Sequence, residues 1–205
     1  MNWLQTIAQF EGIPPILAGL ANEARKYASP KEFEKAYLLE IKHGMYWHVT
    51  DDPNFFIDPQ KGPSDMSSMG SGRMSSGKLM VTSHLEHWAM YYAPNRRYAA
   101  LIDMSSVGAK QYTQVNRGFG NEFFVNDPTQ AKVIGVFPIK EALRIDYEHH
   151  SSLPRNSEEL SEFWHKAQQS QMAYQSKEEL LSNMKQDPAW EQQWNEEWAP
   201  EWEKS

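Results

Sequence analysis

Apolar positions along this chain fall into distinct patterns, and each predicts a different kind of element. Through "PPILAGLANEARKYA" and "SPKEFEKAYLLEIKHG" they recur at three- and four-residue intervals, the spacing that lines one face of a helix. Ser29-Pro30 opens the second stretch with proline at the first helical position, and Gly44 is its stop. From about residue 45 the pattern changes to short apolar runs divided by turn residues. "MYWHVT", "KLMVTS", "RYAALIDMS", "NEFFV" and "AKVIGVFPI" are rich in β-branched and aromatic residues and predict strands. The last two are separated by the turn "NDPTQ", a spacing that predicts a hairpin. "LEHWAMYY", Leu85 to Tyr92, predicts a short helix, and after about residue 150 the chain is polar and helical again.

Two stretches stand apart from these periods. "PQKGPSDMSSMGSGRMSSGK", Pro59 to Lys78, is crowded with Ser, Gly and Met and has no periodicity, which predicts a long mobile loop. In "DPAWEQQWNEEWAPEWEKS" tryptophan returns every four residues, at Trp190, Trp194, Trp198 and Trp202. On a helix opened by Asp187-Pro188 these rings form a slowly rotating stripe, and Pro200 disturbs its end. The stripe is expected to pack on the body of the protein; the competing reading is a docking tail for a protein partner. The expected architecture is therefore α+β. An N-terminal helical segment covers 1–44, a sheet core 45–146, and a polar helical C-terminal extension with the tryptophan repeat 147–205.

Composition narrows the function classes. With 205 residues, 40% hydrophobic and 13% aromatic, the chain can bury a substantial core and is not a disordered polymer. A formal net charge of −7 argues against a broad basic surface for sequence-independent nucleic-acid binding, though not against a local groove. Cysteine is absent, which removes disulfides and thiol chemistry. The N-terminal stretch has no basic leader and carries Glu11 within it, a poor secretory signal, and no apolar run is long enough to cross a bilayer. A cytoplasmic protein without a membrane contact is expected.

The candidate chemistry lies at the strands. In "MYWHVT", Tyr46, His48 and Thr50 share one strand face; a single histidine there is more often a hydrogen-bonded structural residue than a catalyst. In "LMVTSHLEHWAMYY" a strand ends in Thr82-Ser83, whose side-chain oxygens can cap the helix that follows. Trp88 then stands three and four residues from Tyr91 and Tyr92, either a core-facing aromatic face or a wall on which a flat heterocycle stacks. Glu122 opens the run Phe123-Phe124-Val125 just after Gly118-Phe119-Gly120, so it is either a solvated strand-edge charge or a carboxylate on a rigid mount.

Taken together and in this order, the three motifs resemble those of the ADP-ribosyltransferase superfamily. "YWHVT" is similar to its aromatic-histidine-small-threonine strand, "LMVTSHLEHWAMYYA" to its strand followed by a tyrosine-bearing helix, and "NEFFVNDPTQAKVIGV" to its glutamate strand, turn and closing strand. The resemblance covers roughly residues 45–140. It implies a split antiparallel sheet and release of nicotinamide from NAD, with ADP-ribose passed to a macromolecular acceptor. It assigns the adenosine-side ribose to His48, the nicotinamide amide to the backbone near Val49 and Thr50, and ring stacking to Tyr91 or Tyr92. Glu122 is assigned the nicotinamide ribose and its oxocarbenium-like state. Thr82-Ser83 resembles the serine-threonine-serine element of the arginine-serine-glutamate branch, with Arg73 as the available arginine. No glycine follows His48, and Gly120 stands where arginine-modifying relatives carry Gln or Glu, so arginine is not the expected acceptor. NAD is the only expected cofactor, with no metal. The rival readings are a non-catalytic module with a degenerate core and an NAD glycohydrolase.

Other chemistries lack their residues. His84 and His87 lie three apart, but no His-Glu-x-x-His pattern accompanies them. "GSGRMSSGK" lacks P-loop spacing, and neither a dinucleotide-binding glycine fingerprint nor a Gly-x-Ser-x-Gly elbow is present.

Overall fold

The computed structural model describes residues 12–40, 44–65, 78–86, 89, 96–108, 112–116, 122–170, 176–182, 184 and 188–199. These residues form an α+β structure around one antiparallel sheet. Its strands are β1 (Tyr46–Thr50), β4 (Leu79–Thr82), β5 (Tyr98–Asp103), β6 (Tyr112–Asn116), β7 (Glu122–Val125) and β8 (Lys132–Pro138). Two short strands, β2 (Ile57–Asp58) and β3 (Gly62–Pro63), make a separate ribbon. The helices are α1 (Ala18–Ala24), α2 (Pro30–Glu40), α3 (Ile139–Ser151), α4 (Ser157–Gln169), α5 (Lys177–Ser182) and α6 (Pro188–Gln193).

The five strands expected from the apolar runs are all present, but one expected connection is not. The lateral order is β6-β7-β4-β1-β5-β8, so β4, β1 and β5 stand between β7 and β8. The expected hairpin of "NEFFV" and "AKVIGVFPI" is therefore corrected to a crossing connection. Asp127 caps a single 3-10 turn, Pro128–Gln130, by accepting from the Thr129 amide at 3.1 Å, and that turn packs on the β2–β3 ribbon. Local turn chemistry allowed a hairpin, but the strand partners are chosen by burial: β7 pairs with β4 and β6, and β8 with β5.

The shortest ladder in the sheet is the one at its centre. β1 pairs with β5 from Tyr46↔Ile102 to Thr50↔Tyr98, but it pairs with β4 only at Trp47↔Thr82. Beyond that row, towards Thr50 and Leu79, the two strands have no further ladder positions, so β1 and β4 form a V with its apex at Trp47 and Thr82.

Alternation along the strands sorts side chains onto two faces. Trp47, Val49, Ala99, Leu101 and Phe137 pack with Leu20, Phe33, Leu143, Phe163 and Trp190 in a cluster beneath the helices. Tyr46, Leu79, Val81, Ala100, Ile102 and Val125 pack with Phe55 in a second cluster on the other face, the ribbon face. Each large side chain buried in these clusters contributes about 1.5–3 kcal/mol of transfer free energy.

The helical cluster draws on all three sequence regions. α4 packs on α1 and α2, fastened by Arg25 Nη1 donating to the Ala167 carbonyl at 3.2 Å and Trp164 Nε1 to the Tyr27 carbonyl at 3.2 Å. Gly44 is required where it stands: its φ is +72°, and an added Cβ would lie 2.1 Å from the backbone of Gly19. α3, unassigned by the strand reading of "AKVIGVFPI", begins directly after Pro138 and buries Ile139, Ala142, Leu143, Ile145, Asp146 and His149 at helical spacing. The expected boundary near 146 falls inside this helix.

The tryptophan stripe meets the body as expected at its first two rings. Trp190 and Trp194 belong to the helical cluster, with ring centroids 6.0 Å apart, and Tyr147 lies 5.5 Å from Trp190. These two rings are spent on the core. The Trp198 side chain, Trp202 and Pro200 lie outside the described residues. Most of the expected loop, 66–77, also lies outside them, while its opening residues form β3.

Candidate functional site

The three strands that carry the sequence motifs are neighbours, in the order β7-β4-β1. Glu122 pairs with Thr82, and Thr82 with Trp47, so these three residues form one lateral row at the apex of the V. Residues directly opposed across an antiparallel pair project to the same face. Glu122 therefore shares the helical face with Thr82 and Trp47, while His48, one position on, belongs to the ribbon face. The structure brings the strands of the imidazole and the carboxylate together but aims the two side chains to opposite faces. Tyr91 and Tyr92, the expected stacking residues, lie outside the described residues, as do Arg73, Trp88 and Gly120.

His48 is buried and held on both sides. Nδ1 donates to the Met80 carbonyl of β4 at 2.8 Å, and Nε2 sits 3.1 Å from Oδ1 and 3.3 Å from Oδ2 of Asp65. The Thr50 hydroxyl donates to the same carboxylate and accepts from the Asp52 amide at 3.1 Å. Phe55 covers the imidazole, with ring centroids 4.7 Å apart. As described, the polar atoms of His48 and Thr50 are engaged with protein groups across the open end of the V. Val49 is buried on the helical face, and among the described residues the backbone of His48–Thr50 has ladder partners in β5 alone.

Thr82 and Ser83 both bond within the turn that follows β4. Thr82 Oγ1 accepts from the His84 amide at 3.0 Å, and Ser83 Oγ lies 3.1 Å from His84 Nδ1. The helical turn that opens at Leu85 is capped from elsewhere: Asp146 of α3 accepts from the Leu85 amide at 3.2 Å. Its other oxygen accepts from Trp47 Nε1 at 2.9 Å. Asp146 is fully enclosed, and burial pushes its carboxyl up to about 6, against the lowering influence of His150, the Trp47 bond and the Glu86 and Leu85 amides. It lines a cleft of about 370 Å³ with His84, Glu86, Tyr147, His150 and Trp190. The sequence reading did not single out Asp146. The available signal was an acid among the buried positions of an amphipathic helix, where a charge without partners is costly.

Among the described residues no group of three or more His, Asp or Glu side chains is arranged to hold a metal ion. No helix among them is long and apolar enough to cross a membrane. A scan against protein-family models, a search of curated proteins and a search of solved structures each return no match.

Proposed function

We propose that the chain binds NAD at the divergence of β1 and β4 and transfers ADP-ribose to a macromolecular acceptor, releasing nicotinamide. The observation that supports this reading most is the lateral neighbourhood β7-β4-β1, with Glu122 opposite Thr82 in the apex row. Three motifs distant in sequence occupy adjacent strands beside the short β1–β4 ladder. Glu122 is the catalytic candidate. Nicotinamide leaves as a neutral base, so the charge that develops is on the ribose, and a fixed carboxylate beside it lowers the barrier. The acceptor nucleophile then bonds to the anomeric carbon, and its proton passes to solvent or to a base.

The test is incubation with NAD labelled on the adenylate and, separately, on nicotinamide, in the presence of cell lysate. Transfer of the first label to macromolecules and release of the second, both reduced in Glu122→Gln, are the expected results. Equal transfer by both proteins, or no release by either, ends the reading. Free ADP-ribose accumulating without labelled macromolecule identifies a glycohydrolase instead.

A non-catalytic module is the second reading, favoured by the engagement of both His48 nitrogens within the protein and by the opposite faces of His48 and Glu122. NAD raises the melting temperature of the enzyme and leaves that module unchanged.

A further inference from the structure

The weakest junction in the sheet is also the one the candidate site occupies. β1 and β4 meet at a single ladder position, so backbone pairing alone does not set their spacing. Among the described residues two side chains hydrogen-bond across this junction, one on each face. On the ribbon face His48 donates from β1 to the Met80 carbonyl of β4. On the helical face Asp146 accepts from the indole of Trp47 in β1 and from the amide of Leu85, three residues beyond Thr82 of β4. The second crossing is the more demanding one. Asp146 is 3% exposed and lies 99 positions away in sequence from Trp47, so its carboxylate is held there by the packing of α3 on the sheet.

We propose that Asp146 is a positioning residue that pins the apex of the V, holding β1 and the end of β4 at the spacing the candidate site needs. Its two oxygens each take a donor from a different side of the junction, which a hydrophobic residue or a single-acceptor side chain does not do. Loss of one bond frees one side. The row Trp47–Thr82–Glu122 is then held by backbone pairing alone, and the residues of β1 beyond it shift relative to Glu122. The consequence for catalysis rests on the transfer reading above; the pinning of the strands does not.

His150 Nδ1 on the same helix lies 3.7 Å from Oδ1, and the cleft beside this carboxylate is also lined by His84 and Glu86 from the turn after β4 and by Trp190 and Gln193 from α6. None of them replaces the bond to Trp47 or to Leu85.

Asp146→Asn tests the idea at nearly constant shape, because an amide keeps one acceptor oxygen and sets an NH2 group against the other donor. Amide hydrogen exchange is read strand by strand on the full chain. The expected result is exchange about tenfold faster at Leu85 and at the row where β1 and β4 meet, with β8 and α4 unchanged. Should this variant fail to fold, Trp47→Phe removes the donor while keeping a ring, and acceleration at β1 and β4 is again expected. Uniform acceleration across all strands, or none at β1 and β4, overturns the proposal. NAD turnover supplies the second readout: the KM for NAD rises about tenfold in Asp146→Asn, and Asp146→Glu, which retains two acceptor oxygens, restores part of it. If the wild-type protein does not turn over NAD, the transfer reading fails while junction-confined exchange still upholds the pin.

Discussion

The two faces of the sheet bury polar groups by different means. On the ribbon face, His48 and Thr50 are satisfied by Asp65, a residue 17 and 15 positions away whose side chain keeps 13% of its exposure. On the helical face, Trp47 is satisfied by Asp146, 99 positions away and fully enclosed. Trp47 and His48 are sequence neighbours, yet one is answered by a nearby loop and the other by a distant helix. The partly wet carboxylate retains some solvation, whereas the enclosed one bears a desolvation cost that shows as a raised carboxyl pKa. A polar bond placed deep in a core is a stronger constraint on geometry and a less certain contribution to stability.

The largest test of this contrast is Trp47→Ala. Trp47 is fully buried in the helical cluster and also supplies a bond to Asp146, so unfolding in urea is expected to show a loss of about 3–5 kcal/mol. On the same face, the proposed transfer reading expects Glu122→Gln to lower ADP-ribose transfer about 100- to 1000-fold, read from label on macromolecules.

The pH dependence of stability sharpens the comparison further. Asp146 has its folded pKa raised from 3.8 to about 6, so ionising it is harder in the folded state than in the unfolded one. Its stabilising contribution is fully present below about pH 4 and is lost as pH rises through about 6. Denaturation midpoints compared between pH 4 and pH 7 should show a decline of about 1–3 kcal/mol that Asp146→Asn removes. A wild-type profile unchanged by that substitution would contradict the buried, ionisable assignment.

Effects on the ribbon face are smaller. Asp65→Asn leaves His48 and Thr50 with a poorer acceptor in a partly solvated place, and about 1–2 kcal/mol is expected from chemical denaturation. Phe56 is 55% exposed beside the buried Phe55, so Phe56→Ser should stay within about 0.5 kcal/mol in the same assay. A loss at Asp65 as large as that at Trp47 would erase the distinction between the faces.

Five of the eight strands among the described residues were legible, because short apolar runs between turn residues report burial directly, while β2, β3 and β6 were not read from the sequence. β1, β4, β5, β7 and β8 all coincide with them, as do α1 and α2 with the helical spacing. α3 was hidden by its own beginning: Ile139 continues the apolar run of β8, so the change of period shows only from Ala142 onward. Of the candidate site, the strand positions of His48, Thr82 and Glu122 were readable, but the partners of His48 were not. Asp65 belongs to a polar stretch whose composition says loop and nothing about where the loop folds back.

What the residues determine locally is period, turn chemistry and which positions alternate; these follow from backbone geometry within a few residues. The lateral order β7-β4-β1, the open junction between β1 and β4, and the reach of Asp146 to Trp47 are set only by tertiary structure. Strand pairing and buried bonds are selected by the free energy of the whole packed core, and a face assignment reverses with a single step of register.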